Sequence, residues 1–163
     1  MRYFLYTYAS IDNYQTTRAH SVFGAPKDGG DHLATKVKRL HKDDVIIFRN
    51  GALDRLYLFP YCAVAGPLYD QDNGESPWTD LLWRDEQIAR RVIYHLRCAV
   101  DFENVPQLSL SRLTWDTLDA LNFTNVHGRA IRGIQAWGQK FSGNFIEDEK
   151  ELARFNELVE FDG

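Results

Sequence analysis

The chain has 163 residues, 44% hydrophobic and 26% charged, which suits one globular domain with its own core. It has no apolar run of about 18 residues, so nothing is expected to span a membrane. The opening Met1-Arg2-Tyr3-Phe4-Leu5-Tyr6 turns polar too early for a signal peptide, which sets a cytoplasmic expectation. A formal charge of -4 argues against coating nucleic acid by bulk electrostatics, while leaving room for a local basic patch beside a pocket.

Arg2 to Ala9 alternates aromatic and other residues of high β propensity and predicts a strand. Asp12 to His20 is polar and reads as a loop or short turn. Ser21-Val22-Phe23-Gly24-Ala25-Pro26 then leads into a Gly-rich run, Lys27 to Asp31, that cannot be regular structure. Taken alone, Phe23 reads as a core residue entering that loop. His32 to Leu40 predicts a short helix with Leu33, Val37 and Leu40 on one face. It ends in the basic cluster Lys36, Lys38, Arg39 and Lys42, ordinarily a solvated face. Lys42-Asp43-Asp44 is a polar turn before the strand Val45-Ile46-Ile47-Phe48. Asn50-Gly51 then turns the chain into a strand from Leu56 to Ala65, antiparallel because the connection is too short for a crossover.

A turn at Gly66 and Pro67 is followed by a long polar loop carrying Ser76-Pro77-Trp78 and Trp83, and then by a strand from Val92 to Val100. A loop this long between two strands is uncommon unless it does something. Trp78 stands among Asp, Asn, Gly and Glu, where an indole has little core to join. It is either a lid over the protein's own core, the more ordinary case, or a stacking surface for a flat ligand. Asp85 to Arg91 is a short helical or irregular approach to the Val92 strand. Val105-Pro106 ends that strand, and Ser109 or Ser111 can cap a helical segment reaching toward Leu121. Phe123 to Phe145 is rich in Gly, Asn and Arg. Glu147 to Val159 is an amphipathic helix with Leu152, Phe155, Leu158 and Val159 at helical spacing. The pattern predicts an α+β fold: a small mixed or antiparallel β-barrel of about five or six strands with flanking helices. Cys62 and Cys98 lie in strand-like apolar runs and read as reduced core thiols.

A catalytic reading needs a nucleophile, a base or a metal set. The five histidines show no His-x-x-x-His spacing, and two core-like cysteines cannot build a zinc site. There is no Gly-x-x-x-x-Gly-Lys loop and no Gly-x-Ser-x-Gly elbow. Asp43-Asp44 and Asp70-x-Asp72 lie in turns where Asp is expected for backbone reasons. A non-enzymatic binding module without metal or cofactor is the expectation.

Taken together, the residues resemble the EVE and YTH domains of the PUA superfamily, over nearly the whole chain. Ser21-Val22-Phe23-Gly24 is similar to the family's strand end and aromatic motif. Lys42-Asp43-Asp44-Val45-Ile46-Ile47-Phe48 is similar to its Gly-Asp-hydrophobic strand, and Ala63-Val64-Ala65-Gly66-Pro67 to the next strand. Ser76-Pro77-Trp78, Trp83 and Asn104-Val105-Pro106 are similar to the tryptophan loop and Val-Pro junction of YTH domains, and Arg132-Gly133-Ile134-Gln135 to an Arg-Asp-Gly-Gln segment. Asp43 stands where EVE domains usually carry Gly, and Phe23 where many relatives carry Trp. The Gly-rich insert and the Trp137 to Asn144 segment have no firm counterpart.

The resemblance implies a PUA-like pseudo-barrel whose aromatic cage accepts a modified nucleobase flipped out of its strand. Trp78 looks like one wall and Phe23 the other, with Trp83 as the alternative. Ser21 and Val22 would face the base edge, Arg132 looks like a phosphate contact, and Lys36, Lys38 and Arg39 are possible helpers. The resemblance turns Trp78 from lid to stacking surface. The implied partner is nucleic acid carrying a methylated or hydroxymethylated base. DNA is favoured over RNA, because EVE-like modules serve modification-dependent restriction systems beside McrBC-type GTPases or HNH nucleases. A chain from Met1 to Gly163 would suit an amino-terminal recognition domain of such an effector. The alternatives are an RNA-binding PUA-like domain, a regulatory module for a protein or small ligand, and a hydrolase using His32 or His127.

Overall fold

The computed structural model describes residues 1–8, 11–25, 33–50, 58–70, 96–113, 117, 123–124, 130–131 and 142–159. In chain order the elements are β1 (Tyr3–Tyr8), α1 (Ile11–His20), β2 (Val22–Ala25), α2 (Leu33–Val37), β3 (Val45–Asn50) and β4 (Leu58–Val64). Then come β5 (Tyr69–Asp70), β6 (Leu96–Asp101), β7 (Phe123–Thr124), β8 (Ala130–Ile131), β9 (Ser142–Ile146) and α3 (Glu149–Val159). Among the described residues the main sheet runs β2-β6-β4-β3-β1-β9, with β5 beside β6, and curls into a half-barrel. β7 and β8 form a separate pair. The α+β expectation and the mixed sheet hold.

The centre of the sheet is a parallel pair, β1 against β3, in register from Tyr3–Val45 to Tyr8–Asn50. Parallel strands are stable where both faces are covered, and here they are. Phe4, Tyr6, Ile46 and Phe48 point into the concave face, while Tyr3, Leu5, Val45 and Ile47 point to the outer one, all of them buried. The concave core is completed by Tyr14 of α1, Val37 of α2, Leu40 and Phe23. The outer core is completed by Leu113 and by Phe155 and Val159 of α3. β4 pairs antiparallel with β3, as expected. The register shifts between Ile46 and Phe48, so that β4 carries an extra residue where Pro60, which has no N–H to give a ladder, is accommodated. α2 packs against both β2 and β9, the two ends of the strand path, and so covers the opening of the half-barrel.

α3 forms as its pattern predicts. The Asp148 carboxylate accepts from the Lys150 and Glu151 backbone N–H groups at 3.1 and 3.2 Å, and Glu149 and Glu151 complement the helix N-terminus. Its apolar face meets β1, where the Tyr3 and Phe155 rings lie 4.8 Å apart. On the outer face the Tyr61 hydroxyl donates to the Pro106 carbonyl at 2.9 Å and accepts from Leu108 N–H at 2.7 Å, pinning the segment after β6 across β4.

One sequence expectation changes. Residues 12–20, expected as a loop, belong to helix α1. Its buried face is Tyr14, Thr16 and Thr17, so it has no apolar periodicity to reveal it. The Gly-, Asn- and Arg-rich stretch after Phe123, for which the sequence predicts no element, contains β7, β8 and most of β9. The expected start of the Val92 strand, most of the helix expected after Ser111, and the Gly-rich run lie outside the described residues. Ser109 N–H instead donates to the Val159 carbonyl at 3.1 Å, and the Ser109 and Ser111 hydroxyls bond one another at 3.0 Å.

Candidate nucleic-acid interface

The first candidate residues stand at the junction of α1 and β2. Ser21 closes α1 in a left-handed conformation, φ 51°, the geometry that lets a helix stop and a strand begin. Its N–H donates to the Arg18 carbonyl at 3.4 Å, and its carbonyl accepts from Val100 N–H at 2.9 Å. Ser21 is exposed and Val22 is half-buried against the concave core, so both lie at the rim of the half-barrel. Ser21 reaches this rim with one lone pair of its carbonyl already used.

Phe23 is placed differently from the expectation. It has 0% exposure. Its ring meets Tyr6 edge-on at 5.0 Å and 90°, Phe4 at 6.2 Å and 82°, and Phe48 at 6.4 Å and 40°. A side chain with no surface cannot present a wall to a ligand in this arrangement. Phe23 is a core residue of β2, buried with Ala25 in the concave core. Trp78, Trp83 and Arg132 lie outside the described residues.

The basic candidates follow from α2. Val37 and Leu40 anchor this segment in the core, leaving Lys36 half-buried and Lys38 and Arg39 exposed. Arg39 is drawn into a cluster the sequence did not reveal. Its guanidinium pairs with the Glu147 carboxylate and lies 5.0 Å from the centre of the Phe145 ring. Arg2 lies 4.6 Å from the same ring. Arg2 grips Asp44 through Nε at 3.1 Å and Nη2 at 2.6 Å, donates to Glu147 through Nη1 at 2.9 Å, and donates to the Arg39 carbonyl at 2.7 Å. Asp44 also accepts from His41 N–H at 2.8 Å. The Asp44 hydrogen bonds are the main reason the Arg2 guanidinium holds its proton more tightly than usual. The start of β1, the turn before β3 and the β9–α3 junction are thus tied by charge-assisted bonds.

The turn before β3 explains one departure from the resemblance. Asp43, standing where EVE domains usually carry Gly, has φ 73°, which Gly adopts without steric cost and Asp tolerates better than most residues. Elsewhere burial shifts several titratable groups of the core. Burial pushes the Tyr14 phenol up to about 12, and its hydroxyl donates to the Pro60 carbonyl at 3.1 Å. The Cys98 thiol is likewise pushed up to about 12, and Cys62 well above its ordinary value; both are free and buried, as the sequence predicts. Burial also lowers Arg49 and Arg97, two guanidiniums that the apolar look of their strands hid from the sequence reading. Among the described residues no group of three or more His, Cys, Asp or Glu could hold a metal ion, and no helix is long and apolar enough to cross a membrane.

The curled mixed sheet with its filled concave face is an arrangement that several solved structures share. The chain is similar to the Pho92 YTH domain in complex with m6A, with a TM-score of 0.56 at 13% identity, over 99% of this chain and 85% of that one. It is similar to the YTH domain of the Zygosaccharomyces rouxii MRB1 protein in complex with N6-methyladenosine RNA, with a TM-score of 0.51 at 11% identity, over 99% of this chain and 86% of that one. It is also similar to the YTH domain-containing protein mmi1 in its RNA complex, with a TM-score of 0.51 at 14% identity, over 97% and 80% of the two chains. At these identities the likeness is one of fold, and the fold is YTH-like. No protein-family model matches the sequence, and no curated protein sequence does.

Proposed function

We propose that this chain is a non-enzymatic domain that binds RNA and reads a modified base, N6-methyladenine foremost, by stacking it at the rim of the half-barrel. One observation carries the reading: a YTH-like fold spanning 99% of the chain, shared with a domain solved with m6A and another solved with N6-methyladenosine RNA. This moves the favoured polymer from the DNA expected on the sequence to RNA, and leaves the restriction-system context behind. With Phe23 withdrawn into the core, Trp78 and Trp83 are the aromatic candidates for stacking. Ser21 and Val22 are the rim residues beside them in the proposal, and Arg132, Lys36 and Lys38 serve the phosphates.

The energetics suit such a site. Unstacking a base costs a few kcal/mol, and each aromatic wall returns about 1 to 3 kcal/mol. The methyl group itself adds about 0.8 kcal/mol, roughly a four-fold preference, so stronger selection needs a polar group of the pocket left unsatisfied by plain adenine.

The test is fluorescence-anisotropy binding to matched short strands: RNA with and without N6-methyladenine, and DNA with the same base. The proposal expects methylated RNA to bind at least about four-fold tighter than its unmodified match. Trp78→Ala should abolish this preference while leaving the melting temperature unchanged. Equal affinity for modified and unmodified RNA refutes base reading, and tighter binding of methylated DNA than of methylated RNA refutes the polymer.

A further inference from the structure

We infer that the pair Arg2 and Arg39 over Phe145 is an anion site occupied by the protein's own Glu147 carboxylate, and that a backbone phosphate of single-stranded RNA takes its place on binding. The inference rests on the RNA-binding reading above and deepens it.

Two guanidiniums within 4.6 and 5.0 Å of one ring centre are held on a shared aromatic platform, which shields one side of each from water. Their two carboxylate partners are not equivalent. Asp44 is the inner one, its side chain 6% exposed, gripped by two Arg2 nitrogens and a backbone N–H. Glu147 is the outer one, 32% exposed, and shared by Arg2 and by an Arg39 that is itself 49% exposed. An inner carboxylate fixed by three bonds is structural, whereas an outer one held between two partly solvated cations is exchangeable. With Glu147 in place, two guanidiniums meet two carboxylates and the cluster is neutral. With a phosphate in its place, Nη1 of Arg2 and the Arg39 guanidinium face a ligand whose oxygens accept from them at least as well. Lys38 and Lys42 are exposed on the same 36–42 segment, which adds unneutralised charge beside the site. The Glu147 side chain therefore weakens RNA binding by competition and keeps Arg2 and Arg39 from attracting unrelated anions.

The test measures affinity for a short unmodified oligouridine RNA across about 50 to 300 mM salt. It compares the wild-type chain with Glu147→Gln, Arg39→Gln and the double variant. Glu147→Gln keeps a hydrogen-bond acceptor for Arg2 while removing the charge. It is expected to bind roughly four-fold tighter at low salt, the effect of one charge removed about 5 Å from a phosphate in water. Its salt slope should steepen by about 0.7, one more phosphate neutralised. Arg39→Gln should bind more weakly, and the double variant should show no gain over Arg39→Gln. In the wild-type chain, the Arg39 Nε–Hε resonance should shift on adding RNA, a readout that does not depend on any variant folding. Unchanged or weaker binding by folded Glu147→Gln, an equal gain in the Arg39→Gln background, no binding of RNA by either chain, or an unmoved Arg39 resonance would each overturn the inference. Base reading is judged separately, from the modified-to-unmodified ratio of the wild-type chain. That ratio can fail while the Glu147→Gln gain stands, and the gain can fail while the ratio stands.

Discussion

Replacing Phe23 by Ala separates a core residue from a cage wall. The structure makes it core: the side chain is fully buried and touches the Phe4, Tyr6 and Phe48 rings. Truncation removes most of the ring's transfer free energy and leaves a cavity among β1, β2 and β3 that the strands cannot easily close, which places the cost at about 4 kcal/mol. The loss includes two edge-to-face ring contacts, with Tyr6 and Phe4. For a chain of this length each kcal/mol lowers the melting temperature by about 2 to 4 °C, so Phe23→Ala should melt roughly 8 to 16 °C lower. Phe23→Leu, which keeps most of the volume, should cost about 1 kcal/mol. Thermal denaturation followed by circular dichroism reads both. The reasoning is refuted if Phe23→Ala melts within about 2 °C of wild type and yet no longer binds methylated RNA, the behaviour of a ligand wall with little structural duty.

The Arg2 cluster should respond to loss of its inner carboxylate. Asp44→Ala removes the acceptor of three hydrogen bonds around a mostly buried carboxylate, while Arg2 keeps Glu147, so we expect a loss of about 2 to 3 kcal/mol. Chemical denaturation measures it, and a double-mutant cycle with Arg2→Met should show the two losses to be strongly non-additive. The turn after β6 should carry a pH signature. Asp101 accepts from the Asn104 and Glu103 backbone N–H groups at 2.9 and 2.8 Å and from the Asn104 side chain at 2.9 Å, bonds that favour the carboxylate and lower its titration below the usual aspartate range. A depressed folded value means that its stabilisation is present at neutral pH and is lost as pH falls through that value. An NMR titration should therefore find the Asp101 carboxyl changing below about 3.9, and Asp101→Asn should flatten that part of the acid-unfolding profile.

What the sequence made legible follows from which interactions are local. β1, β3 and β4 were readable because runs such as Val45-Ile46-Ile47-Phe48 suit a sheet buried on both faces, and α3 because Phe155 and Val159 repeat at helical spacing. α1 was hidden because a helix whose buried face is Tyr14, Thr16 and Thr17 looks like a polar turn. The parallel pairing of β1 with β3 and the Arg2 cluster were hidden because they join residues far apart in sequence, 42 positions from Arg2 to Asp44 and 145 from Arg2 to Glu147. Phe23 shows the hazard in the other direction: its own sequence context suggested core, and family resemblance suggested a ligand wall. Its complete burial among the Phe4, Tyr6 and Phe48 rings decides for the core.

That decision constrains where a base can go. The concave face of the half-barrel is occupied by a continuous set of rings: Phe4, Tyr6, Phe23, Phe48 and Tyr14, with Phe102 against Phe48 at 6.3 Å and Tyr14 at 6.4 Å. Tyr14 and Tyr6, the most exposed of the first five, are only 4% and 7% accessible, so a purine driven into this face would have to displace core side chains at several kcal/mol each. No stacking term of about 1 to 3 kcal/mol per wall offsets that cost. A base reader built on this sheet therefore needs aromatic walls from outside the filled concave core. On the proposed reading Trp78→Ala should act on binding, and Phe23→Ala, in the buried core, on stability.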